Sequence, residues 1–323
     1  MKYFFVSIIL FISLQALPQD CSKELLAKKP GIWKAGMKGS IVNVSAADLI
    51  KEKAAMADIH KMVSSNYNPI GCQVTFNPSF GKHVLAGESW IADPYSYSMY
   101  ILKYLCHQQN TDKSKYYVAI ATPTTVVISA NVIYSLDNLY AKDLDDDFRG
   151  YLKLEKRPVK KDGYYYMGEK TDYSKEIYEY RWLITYNDTL PFSYLSRKEY
   201  LLIQKKRLEK SVRENPGEKA FLEKYFNNIN DYLKQPETEL SKPAISMWNE
   251  EQRFKQFVEE GTNGSFISVK PNLVYYKKNL PKSSPQFFSV VYTIAKDDPV
   301  FEKNIEAIKK AVDFAKLKNM LGK

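Results

Sequence analysis

Between Tyr178 and Tyr186 the chain alternates: Tyr178, Tyr180, Trp182, Ile184 and Tyr186 point one way, and Glu179, Arg181, Leu183 and Thr185 the other. A period of two over nine residues is a strand. Its aromatic side is too large to stay wet, because burying an apolar side chain contributes roughly 1.5–3 kcal/mol. The chain must therefore build a sheet with a covered face, and the face bearing Glu179, Arg181 and Thr185 is expected to be mostly solvated.

The cover is legible elsewhere. Ser45-Ala46-Ala47-Asp48 reads as a helix start, and Leu49, Met56, Ile59 and Val63 then share one face of a helix over 46–64. Ser196 to Glu199 is a capping box opening a helix over 197–213, and Asn215-Pro216 starts another that runs to 234; the two are expected to pack as an antiparallel pair. Asp298-Pro299 caps a last helix striped by Phe301, Ile305, Ile308 and Val312. A further helix is predicted after Asp93-Pro94, carrying Tyr97, Tyr100, Ile101 and Tyr104 and ending at Cys106, while Gly71 to Glu88, with Pro78, Gly81 and Gly87, reads as a loop. Strands are predicted at 116–120, 125–128, 266–270 and 288–294, and Asp162-Gly163 should join Tyr151–Lys156 to Tyr164–Met167 as a hairpin.

Helices bunch rather than alternate with strands, which predicts an α+β fold: a mostly antiparallel sheet with helices on one side, plus a helix-rich N-terminal part. The expected division is a signal peptide at 1–19, an α-rich segment with short strands at 20–135, and an α+β domain at 136–323. The signal reading rests on Lys2 followed by the apolar stretch Tyr3 to Leu14 and a break at Pro18, a run shorter than the ~20 residues of a membrane span. An uncleaved anchor is the competing account; acylation at Cys21 is disfavoured by Pro18, Gln19 and Asp20 before it. The mature chain is expected in the periplasm or outside the cell, without a transmembrane span.

Hydrophobic residues at 45% and aromatics at 14% exclude a disordered chain. The formal net charge of +10 favours anionic neighbours, an acidic polysaccharide or another anionic envelope component, although solubility alone explains it as well. The basic residues are spread along the chain, which argues against nucleic acid. Cys21, Cys72 and Cys106 in an oxidising compartment imply one disulfide and one leftover thiol; Cys72 to Cys106 is preferred, with Cys21 paired to either as the alternative.

Motif inspection mostly excludes. There is no G-x-S-x-G, P-loop, G-x-G-x-x-G, H-E-x-x-H or C-x-x-C, so no cofactor is implied and the common nucleotide and zinc-protease routes are out. Any imidazole base must be His60, His83 or His107. His60 sits near the apolar face of its helix as a packed, hydrogen-bonded residue; His107 adjoins a helix end; His83, in a glycine-flanked loop with Glu88 and Trp90, is the candidate binding group. Asp143, Asp145, Asp146 and Asp147 fail as a calcium loop because Phe148 stands where glycine is needed, and they read as a solvated turn. Trp90 and Tyr164 to Tyr166 could stack on sugars, but cross-strand packing explains the tyrosines as well. Two function classes stay open: a non-catalytic exported binding or envelope-associated protein, and a hydrolase of an envelope or extracellular glycan using a carboxylate pair or histidine.

Overall fold

A computed structural model describes residues 21–37, 39–81, 92–107, 115–133, 139–140, 152–171, 174–247 and 254–323. In chain order its elements begin with α1 (Lys23–Lys28), β1 (Ile32–Ala35), β2 (Ile41–Val42), α2 (Ala46–Ser64), β3 (Cys72–Gly81) and β4 (Tyr95–Cys106). There follow β5 (Tyr116–Val118), β6 (Thr125–Ala130), β7 (Val132–Ile133), β8 (Leu139–Tyr140), β9 (Leu152–Leu154), β10 (Val159–Lys161), β11 (Tyr164–Thr171), β12 (Ile177–Ile184) and β13 (Phe192–Tyr194). The remainder is α3 (Arg197–Glu214), α4 (Lys219–Tyr232), α5 (Glu237–Leu240), β14 (Ile245–Met247), β15 (Ser265–Pro271), β16 (Phe288–Ala295), α6 (Pro299–Ala311) and α7 (Phe314–Met320).

The fold is mixed α and β around a ten-stranded, mostly antiparallel sheet in the order β1-β3-β4-β6-β16-β12-β11-β10, with β2 also on β3 and β5 on β4. Its antiparallel centre is set by long registers, Tyr180 opposite Tyr292 and Tyr292 opposite Val126. β6, before position 136 in the sequence, and β16, after it, are paired neighbours in this one sheet.

On one face lie α2, α6 and α7, whose Met56, Ile59, Ile305, Ile308 and Leu317 meet Val74, Tyr97, Ile128 and Val290 from the strands. The opposite face is not wet. Leu183 is 0% exposed and Arg181 6%, because a smaller sheet, β13-β15-β14 with β9, packs there through Phe192, Ile245, Ile267 and Val269. Arg181 is accommodated by an ion pair with Glu179. Beyond the small sheet α3 and α4 form the expected antiparallel pair: Arg197 at the start of α3 donates to Tyr232 at the end of α4, and Ser211 near the end of α3 to Glu218 just before α4.

Several expectations need correction. The N-terminal part is not helix-rich: β1 to β7 dominate it, with α1 and α2 the helices among its described residues. The segment after Asp93-Pro94 is the strand β4, with Tyr95, Tyr97, Met99 and Ile101 buried at alternate positions and Ser96, Ser98 and Tyr100 on the other side. The segment read as a loop holds β3, which pairs with β4 over Cys72 to Ser79. The hairpin at Asp162-Gly163 is real, but β11 takes β10 as partner while β9 crosses to β15. Both turn residues have positive φ, 52° and 84°, the conformation that Asp-Gly supplies in a tight hairpin.

The disulfide joins Cys21 to Cys106, and the Cys72 to Cys106 pairing is wrong. Cys72 begins β3 with its side chain in the core, whereas Cys106 ends β4 beside the N-terminal segment. Burial pushes the Cys72 thiol up to about 12, so it is no nucleophile at neutral pH.

Candidate functional site

Ser45 caps α2 by accepting from the Asp48 backbone amide at 3.1 Å, and from there Lys53, Met56, Ala57 and His60 recur at helical spacing on one face. Opposite them β3 presents Phe76, Pro78 and Phe80 at a strand period, and Tyr97 of β4 stands beside Pro78 in the register. Between helix and strands lies a cavity of about 410 Å³.

Its side wall follows from one proline. Pro78 has no N–H to donate, and the parallel pairing along the edge of β3 breaks there: β1 pairs as far as Phe76, and β2 resumes at Phe80. Gly36 donates to Phe76 O and Phe80 to Ser40 O, both at 2.9 Å, on either side of the gap. Where the edge returns, Gly39 lies so close that a Cβ would stand 1.5 Å from Pro78 O, so only glycine fits. Gly39 and Ile41 thereby become cavity wall.

The polar feature of the wall is His60. Its Nδ1 lies 2.6 Å from the Tyr97 hydroxyl, its ring is tilted 31° over Phe76 at 4.2 Å, and Trp33 meets it edge-on at 5.5 Å. Burial lowers the imidazole's affinity for a proton and raises the Tyr97 phenol well above its usual range, so both are neutral at pH 7. A second anchor holds the helix end of the site: Tyr67 donates to Asn304 Oδ1 at 2.5 Å, and Asn304 also exchanges bonds with the backbone of Ile70.

Chemically the enclosure is an apolar slot with one neutral imidazole, one phenol and the exposed ammonium of Lys53. Among the described residues its wall carries no carboxylate, and no group of three or more His, Cys, Asp or Glu could hold a metal.

The predicted site residues His83, Glu88 and Trp90 lie outside the described residues, as does the Asp143 to Asp147 turn. His107 follows the end of a strand rather than a helix and rests against Tyr117 with ring centres 4.8 Å apart. Sequence reasoning passed over Lys53, Phe76, Phe80 and Tyr97. The Tyr-Ser-Tyr-Ser alternation of residues 95–98 is a signal that could have placed Tyr97 on a strand.

Of the tyrosines considered for sugar stacking, Tyr164 and Tyr166 have ring or cation neighbours, and Tyr165 packs against the core between the sheets. Lys161 Nζ is 6.0 Å from the ring centres of both Tyr166 and Trp182, Lys309 is 4.8 Å from that of Tyr180, and Phe314 meets Tyr164 and Trp182 edge-on. No helix among the described residues is long and apolar enough to cross a membrane.

No protein-family model, curated protein or solved structure matches this chain.

Proposed function

We propose that this is an exported, non-catalytic binding protein that holds a small apolar ligand between α2 and the β3–β4 hairpin. The observation carrying this reading is the slot itself. A void of about 410 Å³ falls within the ~300–1,000 Å³ of small-molecule sites, and its wall is apolar with a few convergent polar groups. Protein interiors close to the density of organic crystals, and collapse of α2 onto Phe76 and Phe80 would bury more apolar surface, so an apolar slot kept open is a place for something else. The Cys21–Cys106 disulfide fits an oxidising compartment, in keeping with the signal-like start.

The glycan-hydrolase alternative needs an acid–base pair facing across a groove. A neutral His60 hydrogen-bonded to a neutral Tyr97, with no carboxylate in the described wall, favours binding over hydrolysis. The test uses the neutral fluorescent probe N-phenylnaphthylamine and the variant Ala57→Trp, which fills the slot from an exposed helical position. Saturable one-to-one binding that the variant abolishes without lowering Tm is expected. Absence of saturable binding, or binding indifferent to the tryptophan, overturns the reading.

A further inference from the structure

The order of groups along the slot points to a class of ligand. Lys53 and His60 are seven residues apart on α2, so by helical rise their Cα atoms stand roughly 10 Å apart along the axis. Met56 and Ala57 fill the interval. On the facing strand Phe76 stacks on His60 at one end, whereas Phe80 and its register partner Ile41 lie at the other. The slot is therefore graded: a charged, exposed end at Lys53, an apolar middle, and an aromatic end closed by Trp33, Phe76, His60 and Tyr97.

We infer that the ligand is a single-chain amphiphile with a carboxylate head, the head at the Lys53 ammonium and the chain laid between Met56 and Phe80 toward His60. This rests on the reading of the slot as a binding site and adds the chemistry of its occupant. A neutral chain end suits the far wall, because a desolvated, uncharged imidazole tied to Tyr97 presents no charge there. A carboxylate suits the near end, where the cation is exposed and the whole chain carries a formal net charge of +10. A cationic head would meet Lys53 directly.

The experiment compares decanoate, methyl decanoate and decylammonium by calorimetric titration of the full chain, all below their micelle concentrations, at low and at high salt. Decanoate should bind about threefold to fivefold more tightly than the ester, the range expected of an exposed ion pair, and decylammonium more weakly than the ester. The preference should shrink at high salt, vanish in Lys53→Met, and survive in Lys53→Arg. Equal affinity for acid and ester in the wild type, or a preference untouched by Lys53→Met, overturns the inference and leaves the slot a site for apolar ligands. If none of the three binds while N-phenylnaphthylamine does, the inference falls and the reading of the slot as a site for apolar ligands stands.

Discussion

Two aromatic surfaces lie on the same face of the large sheet, and they are covered differently. Toward β10 to β12, Tyr166, Tyr180 and Trp182 are capped by Lys161, Lys309 and Phe314. Toward β3 and β4, Phe76, Phe80 and Tyr97 line a slot of about 410 Å³ beneath α2, with Phe80 and Tyr97 themselves buried. Composition cannot distinguish the two, since both are tyrosine and phenylalanine on alternate strand positions. The covering element decides. Phe314 of α7 packs edge-on against Tyr164 and Trp182, whereas α2 presents Lys53, Ala57 and a half-buried His60, too short or too polar to fill the space before them. On the proposed reading, an aromatic sheet surface becomes a site where the overlying helix leaves a gap above it.

Reduction of the disulfide should have the largest effect. Cys21 and Cys106 are 85 residues apart, and releasing such a loop costs about 4–5 kcal/mol in the chain-entropy model. Cys106 ends β4, the strand that supplies Tyr97, so hydrogen exchange after reduction should rise more in β4 and β5 than in β12. Equal protection loss in both regions would erase the distinction. Next, Trp182→Ala should destabilise by about 3 kcal/mol, the lower end for aromatic truncation because the ring is only partly buried, while probe affinity changes less than twofold. Lost binding with an unchanged melting transition would make the capped surface the ligand platform instead.

A smaller effect follows from His60. Its folded-state pKa lies below the ordinary value near 6.5, so between the two the unfolded chain binds more protons. Stability is fully present above pH 6.5 and is lost as the pH falls through 6.5 toward the folded value. Thermal melts at pH 7.5 and 5.5 should show a drop that His60→Gln reduces. An equal drop in the variant would assign the dependence to other groups.

Much of the secondary structure was readable because it is local. The Ser45 cap, the Ser196–Glu199 box, the Asp298-Pro299 start and the Asp162-Gly163 turn each satisfy backbone groups within a few residues. The segment 95–106 misled because Asp93-Pro94 resembles a helix start and Tyr97, Tyr100, Ile101 and Tyr104 also fit a helical stripe. Pairing with β3 on one side and β6 on the other decides it, and neither partner is adjacent in sequence as a strand signal. β3 was hidden by Pro78 and Gly81, residues tolerated there because the first marks a break in edge pairing and the second lies against Val42. The slot was illegible for the same reason. It exists only once α2 is laid over strands that begin eight residues and more beyond its end.

The claim that open and capped aromatic surfaces differ in function is tested most directly by methyl NMR of the methionines during titration with N-phenylnaphthylamine. Met56 lines the slot, Met320 packs beside the capped region, and Met167 lies between the two sheets. The account predicts that the Met56 methyl shifts and saturates at one equivalent while Met320 and Met167 stay in place. Movement of Met320 with Met56 unmoved would contradict it.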